Sequence, residues 1–331
     1  MGVKNWGNNV IPWKWTSSSF ITPGTIAIDV PNYLTRRMVV IRSKRDEDGK
    51  LPLDHVGLFL SLVKVTLSTH ILPVFIFDGL PESRKRTPNP ALIKKATSLY
   101  RIFQKEGDSF NEEISTELWG SPALRAYFAA EHLRNLGSIV GVPTITAPSE
   151  AEMFAAVLCR DGVANTVVSN DSDALLFGSP HVTKQMQLSS GRILCVTSSD
   201  FEKHLGLDIE LLRDLAIVSG CDFHREGVKG IGVRRGVILL QRHGGLEGLL
   251  KAQGYTFSER KEFIEAREVF DEPSYMSAEG VNLSLNPPLV SKIVRALETL
   301  MSAEQAESIS SRITTLWRCF GNRQSKLEQW L

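Results

Sequence analysis

Along the chain, short and densely apolar runs alternate with longer stretches in which apolar residues recur every three or four positions. Thr25–Ile28, Pro73–Phe77 and Thr166–Ser169 are of the first kind. Near-continuous apolar composition marks strands covered on both faces of a parallel sheet. Leu53 to Leu72, Leu124 to Val140, Ala151 to Arg160 and Leu211 to Gly220 carry the helical period, and Leu289 onward, past Pro287-Pro288, opens at least one more helix. The alternation predicts an α/β protein with a mainly parallel central sheet flanked by helices. Between Thr87 and Ser121, Pro88, Pro90 and Gly107 separate a basic helix from an acidic segment, and this stretch is expected to be mobile. No repeat or low-complexity tract interrupts the pattern.

Composition narrows the class. The 331 residues are 42% hydrophobic and 23% charged, ordinary for a folded globular protein and unlike disordered, collagenous or coiled-coil chains. No apolar run approaches a membrane span, and Met1 to Trp15 lacks the apolar stretch of a signal peptide. The four cysteines, Cys159, Cys195, Cys221 and Cys319, form no CxxC pair, so they are expected to be reduced core residues. The net charge is only +1, but charge is segregated. Between Glu82 and Lys105 stand seven basic residues against one acid, and the next dozen residues hold five acids and no base. Such a stretch attracts a polyanion locally, although a solvated helix face would look the same.

Each predicted strand leads to an aspartate. Asp29, Asp78 and Asp171 stand at or just past the strands' C-terminal ends, the edge where open α/β sheets place their ligands. Aspartate also favours turns and helix N-caps, so one alone says little. Asp173, Glu150, Glu152 and Asp222 bring the number to seven. If Asp171 to Asp173 is extended, alternation puts both side chains on one side. Ser149 to Glu152 also fits a helix capping box, a purely structural use. An EF-hand is excluded, because the loop lacks the further acids and the glycine that motif needs. So many hard oxygen donors favour Mg²⁺, with Mn²⁺ as substitute, over zinc. Two such ions roughly 3.5–4 Å apart activate water and stabilise both oxygens of a phosphodiester displacement.

These residues resemble the structure-specific 5′ nucleases, and specifically the flap endonuclease family. The resemblance is carried by Ile26-Ala27-Ile28-Asp29, Pro73 to Gly79, Ala147 to Glu152, Ser169 to Gly178 and Ser219 to Phe223, and it runs from about Ile26 to His243. It implies a mixed sheet with a helical arch and a helix-hairpin-helix DNA-binding motif. It also implies a two-metal site in which Asp78, Glu150, Glu152 and Asp171 surround one ion and Asp173 and Asp222 serve the other, with Asp29 close by. By the same likeness the basic stretch is the arch, and Lys85 contacts the scissile phosphate, beside Arg84 and Arg86. Leu92 stands where the family usually has an arch arginine, so Lys94, Lys95 or Arg86 would substitute. Thr35 replaces a base-stacking tyrosine, and Tyr33, two residues earlier on a predicted helix, faces elsewhere. Arg42 matches a further basic position.

Gly227 to Arg235 resembles the turn of a helix-hairpin-helix. Its glycines let backbone approach a phosphate, and Lys229, Gly230, Gly232, Arg234 and Arg235 would hold duplex DNA there. In the family this hairpin also holds K⁺. A dinucleotide fingerprint is a poor rival, since the segment follows a helix and lacks the G-x-G-x-x-G spacing. Gln324 to Leu331 resembles the peptide that docks on a sliding clamp of the proliferating cell nuclear antigen type. One helical turn would put Leu327 and Trp330 on one face, with Gln324 and Leu331 beside them.

The expectation is a monomeric 5′ flap endonuclease with 5′ exonuclease activity, acting on flap or junction DNA in replication and repair, with no membrane partner. Residues 1–317 would form one nuclease domain, in parts of about 1–105 with the arch, 122–250 and 251–317, and residues 318–331 the clamp tail. The short length and the tail look archaeal, implying cytoplasm; a eukaryotic version would be nuclear. A non-catalytic clamp-bound junction binder, and a related nuclease of RNA or four-way junctions, remain as alternatives.

Overall fold

The computed structural model describes residue 6 and residues 10–33, 53–79, 90–106, 112–298 and 301–327. Strands in chain order are β1 (Lys14–Ser17), β2 (Gly24–Asp29), β3 (Ile71–Phe77), β4 (Thr144–Thr146), β5 (Thr166–Val168), β6 (His181–Gln187) and β7 (Arg192–Thr197). The chain divides into two compact units, each threaded from three stretches. One comprises Met1–Ser18, Gly79–Thr87 and Ala147–Glu279, the other Ser19–Asp78, Pro88–Thr146 and Gly280–Leu331.

The second unit is parallel throughout. β2 pairs with β3 from Gly24↔Ile71 to Asp29↔Ile76, and β3 with β4 from Phe75↔Thr144 to Phe77↔Thr146. Every residue of β3 is buried, as its continuous apolar sequence dictates. The helix before it is Asp54–Ser68 rather than reaching Leu72. Thr69 and His70 turn the chain, His70 at φ +60°, and Ile71 and Leu72 already belong to β3. The sequence hides this boundary because helix and strand are equally apolar there.

Helices Pro90–Glu106 and Glu112–Gly120 occupy the stretch expected to be mobile. Ala96, Leu99 and Tyr100 of the first pack with Leu118, Leu124 and Phe128 into one cluster, on which Leu92 also rests. Burying such side chains stabilises by roughly 1.5–3 kcal/mol each, so this helix is anchored. Behind it, His55 Nε2 and His132 Nδ1 lie 2.9 Å apart, and burial holds His132 down at about 4.

The first unit is mixed, with strand order β1-β7-β6-β5. β5 and β6 are parallel, whereas β6–β7 and β1–β7 are antiparallel, which gives the mixed sheet that the resemblance implies. The polar alternation of β6, His181-Val-Thr-Lys-Gln-Met-Gln, is that of a strand with one exposed face. Cys159, Cys195 and Cys221 are buried as expected, but Cys319 is exposed on the helix Ala303–Leu327. No described helix is long and apolar enough to cross a membrane.

Candidate active site and DNA-contact hairpin

Five of the seven acids belong to the first unit, and local chemistry fixes each. Glu150 is the N-cap of helix Ala151–Arg160, nine-tenths buried, and its side chain makes no capping bond. The alternative reading of Ser149 to Glu152 as a capping box is not realised; Ser149 Oγ instead meets Met153 Sδ at 3.5 Å. Glu152, in the first turn, accepts a hydrogen bond from Ala174 N at 3.2 Å, which ties this helix to the one-turn helix Asp173–Leu176.

Asp171 and Asp173 do not lie on an extended segment. Asp171 N donates to Ser169 Oγ at 3.2 Å and the Asp171 carboxylate accepts from Ser172 N at 2.8 Å. These bonds bend the chain, and Ser172, at φ −106° and ψ −2°, leads directly into the helix that Asp173 opens. Aspartate's preference for bonding nearby backbone overrides alternation here. Asp173 is 5% exposed.

Asp222 follows helix Ile209–Ser219. Burial above all raises the Cys221 thiol to about 12; contacts with the backbone of His224 and Phe223 oppose the rise, and the charges of Asp173 and Asp222 add to it. The thiol therefore stays protonated. Aromatic residues that follow Asp222 and the Asp173 helix in sequence pack together with one from a third segment. Phe177 and Phe223 pack edge-on at 6.2 Å between centroids, and Phe270 lies 5.5 Å from Phe177 and 5.4 Å from Phe223.

Sequence reasoning missed two positioning residues. Arg213 Nε donates to Leu176 O at 2.7 Å, closing the end of the Asp173 helix, and its Nη1 pairs with Glu210 at 2.9 Å and Asp271 at 3.1 Å. Gly79 N donates to Ser149 O at 2.7 Å, and a Cβ on Gly79 would fall 1.8 Å from Ala147 O. Nothing in the sequence marks Arg213, whereas glycine directly after a strand-end aspartate is a signal of close backbone approach.

The other unit holds Asp29 and Asp78. Asp29 closes β2, is 3% exposed, and accepts from Asn32 N at 3.2 Å in the manner of an N-cap. Asp78 follows β3 and is exposed. Tyr33 is 1% exposed, which rules it out as a substitute stacking surface. Lys94 and Lys95 are exposed, Lys95 pairing with Glu117 at 2.8 Å. Thr35, Arg42, Arg84, Lys85 and Arg86 lie outside the described residues, as do Trp330, Leu331 and the side chains of Gln324 and Leu327. The helix Ala303–Leu327 carries the backbone of the last two without a break at residue 317.

In donor chemistry the acids fit hard divalent cations. Among the described residues no three His, Cys, Asp or Glu side chains converge closely enough to hold an ion unaided.

The hairpin is built as its sequence predicts. Helix Ile209–Ser219 packs against helix Val233–His243 across a turn in which Gly227 and Gly230 have φ of +61° and +76°. Val228 N donates to Val218 O at 2.8 Å, and Gly236 leaves no room for a side chain, since its Cβ would lie 2.7 Å from Leu215 Cδ1. Lys229, Gly230, Gly232, Arg234 and Arg235 are all exposed around the N-terminus of the second helix.

Residues 141–222 match the XPG I-region family model. Flap endonuclease 1 of Methanococcus aeolicus is 28% identical over 300 residues, covering 87% of this chain and 86% of its own. That of Ostreococcus tauri is 26% identical over 301 residues, 87% and 77%. The solved flap endonuclease-1 of Methanococcus jannaschii superposes with a TM-score of 0.70 at 25% identity, over 96% of this chain and 99% of the other. The chain is thus similar to flap endonucleases over most of its length. The XPG I-region match ends on Asp222 and contains Glu150, Glu152, Asp171 and Asp173, so it covers all five acids of the first unit.

Proposed function

We infer that the protein is a structure-specific 5′ flap endonuclease that hydrolyses DNA phosphodiesters with two Mg²⁺ ions. The observation that carries this reading is the set of five carboxylates on three chain segments, fixed by the Glu152–Ala174 bond and the Phe177–Phe223–Phe270 cluster. Glu150, Glu152, Asp171, Asp173 and Asp222 would hold the ions, and the resemblance counts Asp29 and Asp78 in the same set. When bound, the ions supply charge neutralisation at the scissile phosphate and an activated water.

The chain's own residues do the rest. Arg213 and the aromatic cluster hold the Asp173 and Asp222 carboxylates so that little reorganisation precedes the reaction. Exposed amides at the start of helix Val233–His243, with Lys229, Arg234 and Arg235, bind backbone phosphates of duplex DNA. Lys85 would stabilise charge on the transferring phosphate, K⁺ would bind at the hairpin, and Gln324, Leu327, Trp330 and Leu331 would dock on a sliding clamp.

The test is cleavage of labelled flap, nicked, bubble and four-way substrates, each with Mg²⁺ and with excess EDTA. The 5′-flap substrate is expected to be cut fastest, with product lost in chelator and restored by Mg²⁺ or Mn²⁺. A gel shift without product in Mg²⁺ would make the protein a junction binder, and preference for four-way DNA would make it a resolvase. A separate expectation concerns the tail: deleting Gln324 to Leu331 should leave basal cleavage intact and remove stimulation by a sliding clamp. Stimulation that survives the deletion would defeat that assignment.

A further inference from the structure

The first unit carries an aromatic and basic sheet face that the nuclease reading does not use. β1 is the edge strand, and register places Trp15 opposite Leu194 and Ser17 opposite Arg192, while Gln185 and Gln187 of β6 face the same two β7 residues. By alternation these six positions share the face opposite buried Ile193 and Cys195. Trp15 is 38% exposed, and the Arg192 guanidinium lies 5.2 Å from its ring centroid. Trp13, two residues earlier, is partly exposed and has Lys184 Nζ 5.1 Å from its ring. The register shift between Thr183 and Gln185 is where Lys184 sits, and such bulges re-aim side chains. The nearby Lys14 ammonium is taken by Asp200 at 2.5 Å and adds no net charge.

Two indoles about one strand repeat apart, each paired with a cation and flanked by exposed amides, match the recurring chemistry of a single strand. Rings stack on bases, cations meet phosphates, and amides reach base edges. We propose that the face formed by Trp13, Trp15, Lys184, Gln185, Gln187 and Arg192 binds single-stranded DNA, separately from the duplex-binding hairpin. The proposal does not require the protein to be a nuclease.

The test uses the full chain in EDTA, so that nothing is cleaved. A fluorescent 20-nucleotide single strand and a blunt duplex are titrated and followed by anisotropy. Trp15→Ala with Arg192→Gln should weaken single-strand binding by roughly tenfold or more, as loss of one stacked base and one phosphate contact implies. Duplex affinity should stay within about twofold. Trp15→Phe should recover most of the loss, because it keeps a stacking ring, and an unchanged melting temperature excludes misfolding. Equal weakening on both DNAs, no weakening on either, or a concentration-dependent dimer that the substitution abolishes would overturn the proposal.

Discussion

Asp173→Asn is expected to eliminate cleavage of a 5′-flap substrate and, in the same preparation, to raise the melting temperature. Asp173 is buried at the first position of its short helix, with Asp222 acting on the same thiol and the Glu152 carboxylate bonded to the next residue's amide. Like charges held together out of water cost folding energy unless cations neutralise them. Asparagine keeps the shape and removes one charge, so the cation-free protein should gain about 0.5–2 kcal/mol, as substitutions at strained functional positions commonly give. On the proposed two-metal reading, the same change removes a metal ligand. Metal stabilisation of a phosphoryl transition state is worth several kcal/mol, so the rate should fall by roughly 10³-fold or more. Anisotropy on uncut flap DNA should change little, since the proposed duplex contacts lie on the hairpin rather than on Asp173. Stopped-turnover assays in Mg²⁺ and a thermal melt in EDTA check both halves. Retained activity would remove Asp173 from the metal set, and a melting temperature lowered by several degrees would mean the carboxylate is a structural hydrogen-bonding group.

How much of this was readable in the chain differs by element. β2 and β3 were legible because strands buried on both faces need unbroken apolar runs, and the aspartates closing them stand out against that background. The hairpin was legible because Gly227 and Gly230 occupy backbone positions where other residues are strained. β6, β7 and β1 were not, since an exposed antiparallel strand such as Lys14-Trp15-Thr16-Ser17 alternates too briefly to be told from a loop. The geometry between Asp171 and Asp173 was misread for a local reason. Ser169 Oγ and the Asp171 carboxylate bond the adjacent amides, and side-chain capture of backbone is invisible to a periodicity argument. Leu92 looked like a missing cation, yet it rests on the cluster around Ala96 and Leu99. In this chain that position is spent on anchoring the basic helix. The exposed cations Lys94 and Lys95 follow two and three residues later on that helix.

Gly227→Ala should cripple the hairpin, and Gly230→Ala provides the control that says why. Both glycines have positive φ, +61° and +76°, which for alanine costs roughly 1–2 kcal/mol. They differ in surroundings. A Cβ on Gly227 would lie 2.5 Å from Val218 O and 2.8 Å from Gly220 N, whereas one on Gly230 would meet nothing within 4 Å. The obstructing atoms are backbone and cannot swing aside, so the turn must move away from the end of helix Ile209–Ser219. That movement breaks the Val228 N to Val218 O bond and adds an overpacking cost of about 1–3 kcal/mol. Because Asp222 stands between that helix and the turn, the displacement reaches the proposed metal-binding carboxylates as well. Gly227→Ala should therefore lose roughly 3 kcal/mol of stability, lower the melting temperature by about 6–12 °C, and weaken both duplex binding and cleavage. Gly230→Ala should cost about 1 kcal/mol and reduce duplex binding through the tilted amides alone, leaving the turnover of bound flap unchanged. Equal melting temperatures for the two variants would mean that the turn relaxes freely and that backbone crowding at Gly227 does not hold the hairpin in shape.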